Sequence, residues 1–298
     1  MNDPFIANEL DAVRSAAIDA DGVMLCVVIP VTNVIIYPNI ITPVTLSAEA
    51  STLAAVNVAH AARHTVIALL QKDEDAQNVA PDELYKIGTE VALGHIMPFP
   101  EGQKTVLAQG RNRVEVLEFT QTEPYLMARA RIVPEEEVYD DQIEALMDTL
   151  LGLFQHAGEL SEMLPDDVID YAMTIESPGW MADFIASTLS LTSDERQHIL
   201  ETFDITERLH EVAVMLNREL NMLELRDEIN GQIQQEMNRS QREMYLREQM
   251  RVIQTELGEE DVFQQELTDV RQQIMDAQLP KDIHDRALKE LSRLMIMP

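Results

Sequence analysis

Apolar and polar positions alternate with a period of two in Arg113-Val114-Glu115-Val116-Leu117-Glu118, over most of its length, and in Tyr125-Leu126-Met127-Ala128-Arg129-Ala130-Arg131-Ile132-Val133. Successive side chains of a strand point to opposite faces, so this spacing predicts half-buried strands. Gly110 precedes the first stretch and Gln121-Thr122-Glu123-Pro124 separates the two, which suits a meander. The apolar run Val23-Met24-Leu25-Cys26-Val27-Val28-Ile29 is far too short to cross a bilayer and reads as a buried strand. An alanine-rich run between Ser47 and His64, with Leu53, Val56 and Val58, predicts one helix with Ser47 as its N-cap. Residues 23 to 134 are thus expected to form a mostly antiparallel sheet or open barrel with one packed helix. Residues 1 to 22, low in hydrophobicity, are expected to be a disordered lead-in.

The texture changes at Pro134-Glu135-Glu136-Glu137-Val138-Tyr139-Asp140-Asp141, and every later signal is helical. Ile143, Leu146, Leu150 and Phe154 follow three-and-four spacing on one face. Ser177-Pro178 places a capping side chain before a proline at the first helical position. Thr192-Ser193-Asp194-Glu195 and Asp204-Ile205-Thr206-Glu207 both have the cap-and-glutamate arrangement. These signals predict a compact bundle from 135 to 203 and a separate arm from 204 to 298. The arm opens with one long helix that has no interior proline up to Glu259. Some fifty helical residues reach roughly 80 Å at about 1.5 Å each, a length suited to connecting or assembling other parts. Leu209, Val212, Leu216, Leu220 and Leu223, then Ile229, Ile233 and Met237, form an imperfect stripe along it. Beyond Gly258, a C-cap candidate, Val270 and Ile274 mark a second helix, Pro280 interrupts it, and a last helix makes a C-terminal hairpin. The fold class expected is therefore α+β.

Charge narrows the partners. The formal net charge is -31, and residues 1 to 200 hold 32 acids against 10 bases while 201 to 298 hold 21 against 12. A field of that sign repels phosphate backbones, so nucleic acid is an unlikely partner for this acidic region; the plainer reading is that acidity keeps the protein soluble. Cys26 is the only cysteine, which excludes an intrachain disulfide and a cysteine-built zinc site. The first twenty residues carry Asp3, Glu9, Asp11 and Asp19 against Arg14, the wrong balance for a secretory or mitochondrial leader. Cytoplasmic placement, with no membrane partner, is the resulting expectation.

Motifs for catalysis are missing. No G-x-x-x-x-G-K-[ST] loop, G-x-S-x-G elbow, H-E-x-x-H helix or dinucleotide fingerprint occurs, and Gly102-Gln103-Lys104-Thr105 only faintly resembles the end of a phosphate loop. His60 and His64 stand four apart on the predicted helix, but no third metal ligand is near in sequence, and packing explains them more simply. Asp166 and Asp167 pair as acids, yet solvation and helix N-terminal placement account for them. No catalytic, cofactor or metal residue is assigned.

What remains is surface suited to binding. The chain has 16 methionines, and Met215, Met222, Met237, Met244 and Met250 fall on the long helix beside Tyr245. Unbranched thioether chains adapt to many apolar partners, although they also serve as core filler. Two proline-interrupted apolar loops add Ile35, Ile36, Tyr37, Ile40 and Ile41, and Met97 and Phe99. Such loops either cap the barrel or present a patch to an extended apolar segment.

Four stretches carry a family resemblance. Ile29-Pro30-Val31-Thr32-Asn33-Val34-Ile35-Ile36-Tyr37-Pro38-Asn39-Ile40-Ile41-Thr42-Pro43-Val44 looks like the opening strand and loop of the Lon substrate-binding domain, with Thr32 where that opening has arginine. Leu107-Ala108-Gln109-Gly110-Arg111-Asn112-Arg113-Val114 resembles its Val-x-Gly-x-x-Arg strand turn, and Leu279-Pro280-Lys281 also fits. Ser240-Gln241-Arg242-Glu243 through Glu256-Leu257-Gly258-Glu259 is the strongest match. The resemblance to the Lon family of ATP-dependent serine proteases implies a non-catalytic N-terminal part of a longer protein. It implies that unfolded, damaged or tagged proteins are recruited, and that six subunits assemble. ATP and Mg would belong to the ATPase domain, which the resemblance places after this region with a Ser-Lys protease domain. Two other readings stay open: a standalone coiled-coil adaptor or scaffold, and an enzyme with an unrecognised acid-pair or histidine site.

Overall fold

The computed structural model describes residues 9–47, 49–73, 76, 79–98, 104–135, 139–161, 164–257 and 259–294. They fall into two compact units, Met1–Leu225 and Arg226–Pro298. The first unit opens with six strands: β1 Val23–Val31, β2 Ile41–Leu46, β3 Val66–Leu70, β4 Ile87–Pro98, β5 Lys104–Gln121 and β6 Met127–Val133. Strand β1 runs parallel to β3 and antiparallel to β6, while β3–β4, β4–β5 and β5–β6 are antiparallel. The pairings therefore close a ring, β1–β3–β4–β5–β6 and back to β1. The 18-residue length of β5 permits this, because its first half carries β2 and its second half carries β6. Register shifts at Thr89/Val91 and Val116/Glu118 bend the strands as closure needs. Strand β3 is buried along its whole length, so it reads as a continuous apolar run without alternation.

Helix α1 spans Ala50–Ala62, between β2 and β3. It ends where Arg63 takes the left-handed conformation, φ 52°, so His64 lies beyond the helix and forms a bridge with Arg14. His60 and His64 are thus not on one helical face. The N-cap is Glu49 and not Ser47, whose hydroxyl instead accepts the Glu49 N–H at 3.3 Å, two residues earlier. From residue 9 onward, part of the expected lead-in is packed against the sheet. Leu10 is fully buried, and the Arg111 guanidinium donates to the carbonyls of Leu10 at 3.1 Å and Val13 at 2.6 Å.

The helical part of the first unit comprises α2 Asp141–Leu160, α3 Asp166–Ala172, α4 Pro178–Thr188 and α5 Ser193–Glu201. Their caps are largely those of the sequence: Ser177 accepts the Trp180 N–H, and Thr192 and Glu195 form a reciprocal capping box. Helix α6 then runs Ile205–Leu257, with the Asp204 carboxylate accepting the Glu207 N–H at 2.8 Å. Leu209, Val212, Leu216 and Leu220 of α6 are buried with Leu150, Phe154, Ile185 and Ile199 in one cluster. The start of the long helix is therefore core of the first unit, and the first unit extends past residue 203. In the second unit, α7 Glu259–Asp276 and α8 Lys281–Leu294 pack on each other, and Leu267 and Leu291 are buried there. Among the described residues no helix is long and apolar enough to cross a membrane.

Buried charges lock the strands to the helices. Arg113 of β5 donates to both carboxylate oxygens of Asp183 on α4, at 2.9 and 2.6 Å, and to the Leu200 carbonyl at 3.1 Å. Arg208 of α6 donates to Glu135 at 2.8 Å and to the carbonyls of Thr202 and Phe203, and lies 3.5 Å from Asp183. The planar guanidinium matches a carboxylate with two parallel bonds, which fixes orientation as well as distance. The Asp183 and Glu135 charges hold the Arg113 guanidinium firmly protonated, against the opposing effect of burial.

Candidate functional site

The loop between β1 and β2 illustrates how apolar sequence becomes core. Gly110 exchanges backbone hydrogen bonds with it, Asn39 N–H to the Gly110 carbonyl and Gly110 N–H to the Ile40 carbonyl, each at 3.0 Å. A Cβ at Gly110 would lie 2.1 Å from the Tyr37 carbonyl oxygen, so only glycine allows this approach. Tyr37, fully buried, donates its hydroxyl to the Arg196 carbonyl on α5 at 2.9 Å. Burial, with the Asp183 charge, pushes that phenol well above its usual range, so it stays a neutral donor. Ile35 joins Tyr37 in the cluster shared with the helices, and Ile36 is buried in the barrel with Val44 and Val56. Ile35, Ile36 and Tyr37, candidates for substrate contact in the sequence, are buried here as packing residues. Ile40 is half-buried against the same helices.

Two loop-region residues do reach the surface. Ile41 is 44 % exposed and Met97 39 % exposed. They lie on opposite sides of β5, facing Gln109 and Thr105 respectively, so they do not form one patch. Four residues of strand separate those partners, roughly 13 Å. Phe99 lies outside the described residues.

The long helix divides by position. Met215, also a candidate, is partly buried and packs against the helical core. Met222, 64 % exposed, is on the surface with Leu225. In the second unit Met237, Met244, Tyr245 and Met250 are all more than half exposed. They are joined by Ile229, Ile233, Leu246, Val252 and Ile253, also exposed. Ile229, Ile233, Met237 and Met244 step by four, four and seven and share one face. Leu246, Met250 and Ile253 step by four and three on another. Leu246, Val252 and Ile253 are exposed residues that the sequence reading did not single out; for Leu246 and Ile253 the signal was their four-and-three spacing with Met250. Exposed polar partners such as Arg251 with Glu248 at 3.0 Å keep the remaining faces solvated.

Cys26 is buried, donates to the Thr65 carbonyl at 3.1 Å, and its thiol is pushed up to about 12, chiefly by burial, which disfavours a nucleophilic role for it. Among the described residues no group of three histidine, cysteine or acidic side chains converges as metal ligands.

Comparison with known proteins gives a consistent family. Residues 26–218 match the model of the ATP-dependent protease La (LON) substrate-binding domain. Lon protease 2 of Herpetosiphon aurantiacus is 36% identical over 271 residues, covering 91% of this chain and 33% of that protein. Lon protease of Dictyoglomus thermophilum is likewise 36% identical over 271 residues, covering 91% of this chain and 34% of that protein. The chain thus spans about a third of the length of these relatives. The solved N-terminal domain of the Mycobacterium avium complex Lon protease shares the fold, with a TM-score of 0.54 and 22% identity over 65% of this chain and 98% of that one. The buried Arg113 anchor, the Gly110 crossing and the ring of strands fall within the matched domain, and the chain belongs to the Lon protease family, of which it carries the substrate-binding domain.

Proposed function

We propose that this region recruits misfolded, damaged or tagged proteins for an ATP-dependent Lon-type protease and contributes to assembly of its hexamer, without catalytic residues of its own. The observation that supports the reading is the run of exposed methionine and branched apolar side chains on α6, which follows directly on residues 26–218, the segment that matches a substrate-binding domain. Native proteins bury the segments that such a surface would bind. Discrimination then comes from exposure and needs no sequence code. Binding per site is expected on the order of micromolar or weaker, with avidity from several copies. ATP and Mg would act in the ATPase domain that accompanies such a region in its family, and the cellular setting proposed is the cytoplasm.

Crosslinking an unfolded protein to the chain and mapping the adducts tests the site. Adducts are expected at Met222, Met237, Met244, Tyr245 and Met250. Adducts confined to residues 140 to 200 would overturn the assignment to the long helix.

A further inference from the structure

Residues 132 to 195 contain 16 Asp and Glu, one His, and not one Lys or Arg. The span builds α2, α3 and α4, and its surface carries an aromatic group contributed by two helices. Tyr171 lies in the last turn of α3, and Trp180 and Phe184 lie one turn apart on α4. The Tyr171 ring is 6.2 Å from Trp180, edge-on at 75°, and 5.2 Å from Phe184 at 59°. Tyr171 is 45% exposed and neighbouring Met173 51%, while Trp180 and Phe184 are half-buried. Three rings drawn together from two helices, with Tyr171 reaching well into solvent, form an apolar cluster at the surface, unlike single exposed side chains, which are common.

The charges around it have one sign. Asp166, Asp167 and Asp170 of α3 and Glu176 before α4 are exposed, and none is ion-paired among the described residues. Asp167 lies four residues before Tyr171, on the same helical face. By contrast, Asp183 and Glu135 of the same span are already neutralised by Arg113 and Arg208. An apolar group ringed by unpaired carboxylates complements a cationic partner. Nucleic acid and acidic segments are repelled.

We propose that this face of the bundle docks unfolded polypeptide segments in which apolar or aromatic side chains are flanked closely by lysine or arginine. The inference rests on the recruiting function proposed above and adds a substrate class and a second surface, separate from α6. Apolar side chains would rest on Met173 and the rings. Flanking cations would sit over the exposed Tyr171 face or beside Asp167, Asp170 and Glu176.

Trp180 is the only tryptophan of the chain, so in the folded chain its emission follows changes beside this group of rings. The test titrates the 298-residue chain with three tryptophan-free peptides that share one leucine and phenylalanine core and are flanked by lysine, serine or glutamate. The lysine-flanked peptide is expected to shift Trp180 emission and to bind about tenfold tighter than the serine-flanked one, a preference lost at high salt. The glutamate-flanked peptide is expected to bind most weakly. The triple variant Asp167→Asn, Asp170→Asn, Glu176→Gln changes only exposed side chains; it should abolish the lysine preference and leave serine-flanked binding intact. Tyr171→Ala with Met173→Ala should weaken all three, with the melting curve confirming an intact fold. Equal binding of the three peptides overturns the proposal. So does binding that leaves Trp180 emission and both variants unaffected while unfolded protein is still captured through α6, in which case the recruiting function stands alone. Failure of every peptide and of unfolded protein to bind removes both.

Discussion

Replacing Asp183 with alanine should weaken the first unit more than any surface change. The carboxylate is 1% exposed and accepts two bonds from Arg113, itself 3% exposed, and Arg208 is 1% exposed at 3.5 Å. Removing one partner of a buried pair strands the other charge and typically costs about 3–5 kcal/mol. Glu135 remains 3.5 Å from Arg113 and 2.8 Å from Arg208, so part of the charge stays compensated. The expected loss is therefore about 3 kcal/mol, the low end of that range. For a unit of this size that corresponds to a fall in Tm of roughly 6–12 °C. Urea unfolding followed by Trp180 emission isolates the first unit, because the tryptophan lies three residues from Asp183 on α4. The companion variant Arg113→Met with Asp183→Leu removes both charges and should recover much of the loss, since a buried pair replaced by apolar groups is often nearly neutral. A loss below about 1 kcal/mol for Asp183→Ala, or additive effects in the double variant, would refute the claim that this pair fastens strands to helices.

Three further outcomes follow from the same structure. Gly110→Ala places a methyl 2.1 Å from the Tyr37 carbonyl and should destabilise by about 2 kcal/mol or more in urea unfolding, detaching the β1–β2 loop from β5. Glu195 is held down to about 2, first by its hydrogen bond from Arg218 and then by the Thr192 backbone. A depressed carboxyl contributes stability above its unfolded value of about 4.3, and that contribution is lost as pH falls through about 2; Arg218→Ala should raise the Glu195 pKa in an NMR titration. Cys26, with its thiol raised to about 12 by burial, should resist alkylation at pH 8 in the native chain and react fast in urea, so equal rates would contradict its placement in the barrel.

Where the sequence was legible, local physics decided the structure. The alternating stretches became β5 and β6, and Ser177, Thr192 and Asp204 cap the helices they were expected to cap. The Ser47 cap failed because a hydroxyl can bond the next-but-one N–H in a turn as readily as a helix start, and periodicity does not distinguish the two. Ile35, Ile36 and Tyr37 could not be told from a binding patch because an apolar loop looks the same in sequence whether helices cover it or not. What covers it, α5 and the first turns of α6, lies about 160 residues away, as the Tyr37 to Arg196 bond shows. The Arg113–Asp183 pair, 70 residues apart, was likewise invisible as a pair. In sequence Arg113 is one residue of an alternating strand and of a family-like turn; its buried partner supplies the reason for that position. On α6 the sequence located the exposed methionines, but burial alone separated Met215 from Met222.

Recruitment by exposure is tested most directly by binding one labelled test protein, native and unfolded, to the 298-residue chain under identical conditions. Measurable binding is expected of the unfolded form only, weakened when Met237, Met244 and Met250 are together replaced by serine. Equal binding of the two forms, or none of either, would contradict it.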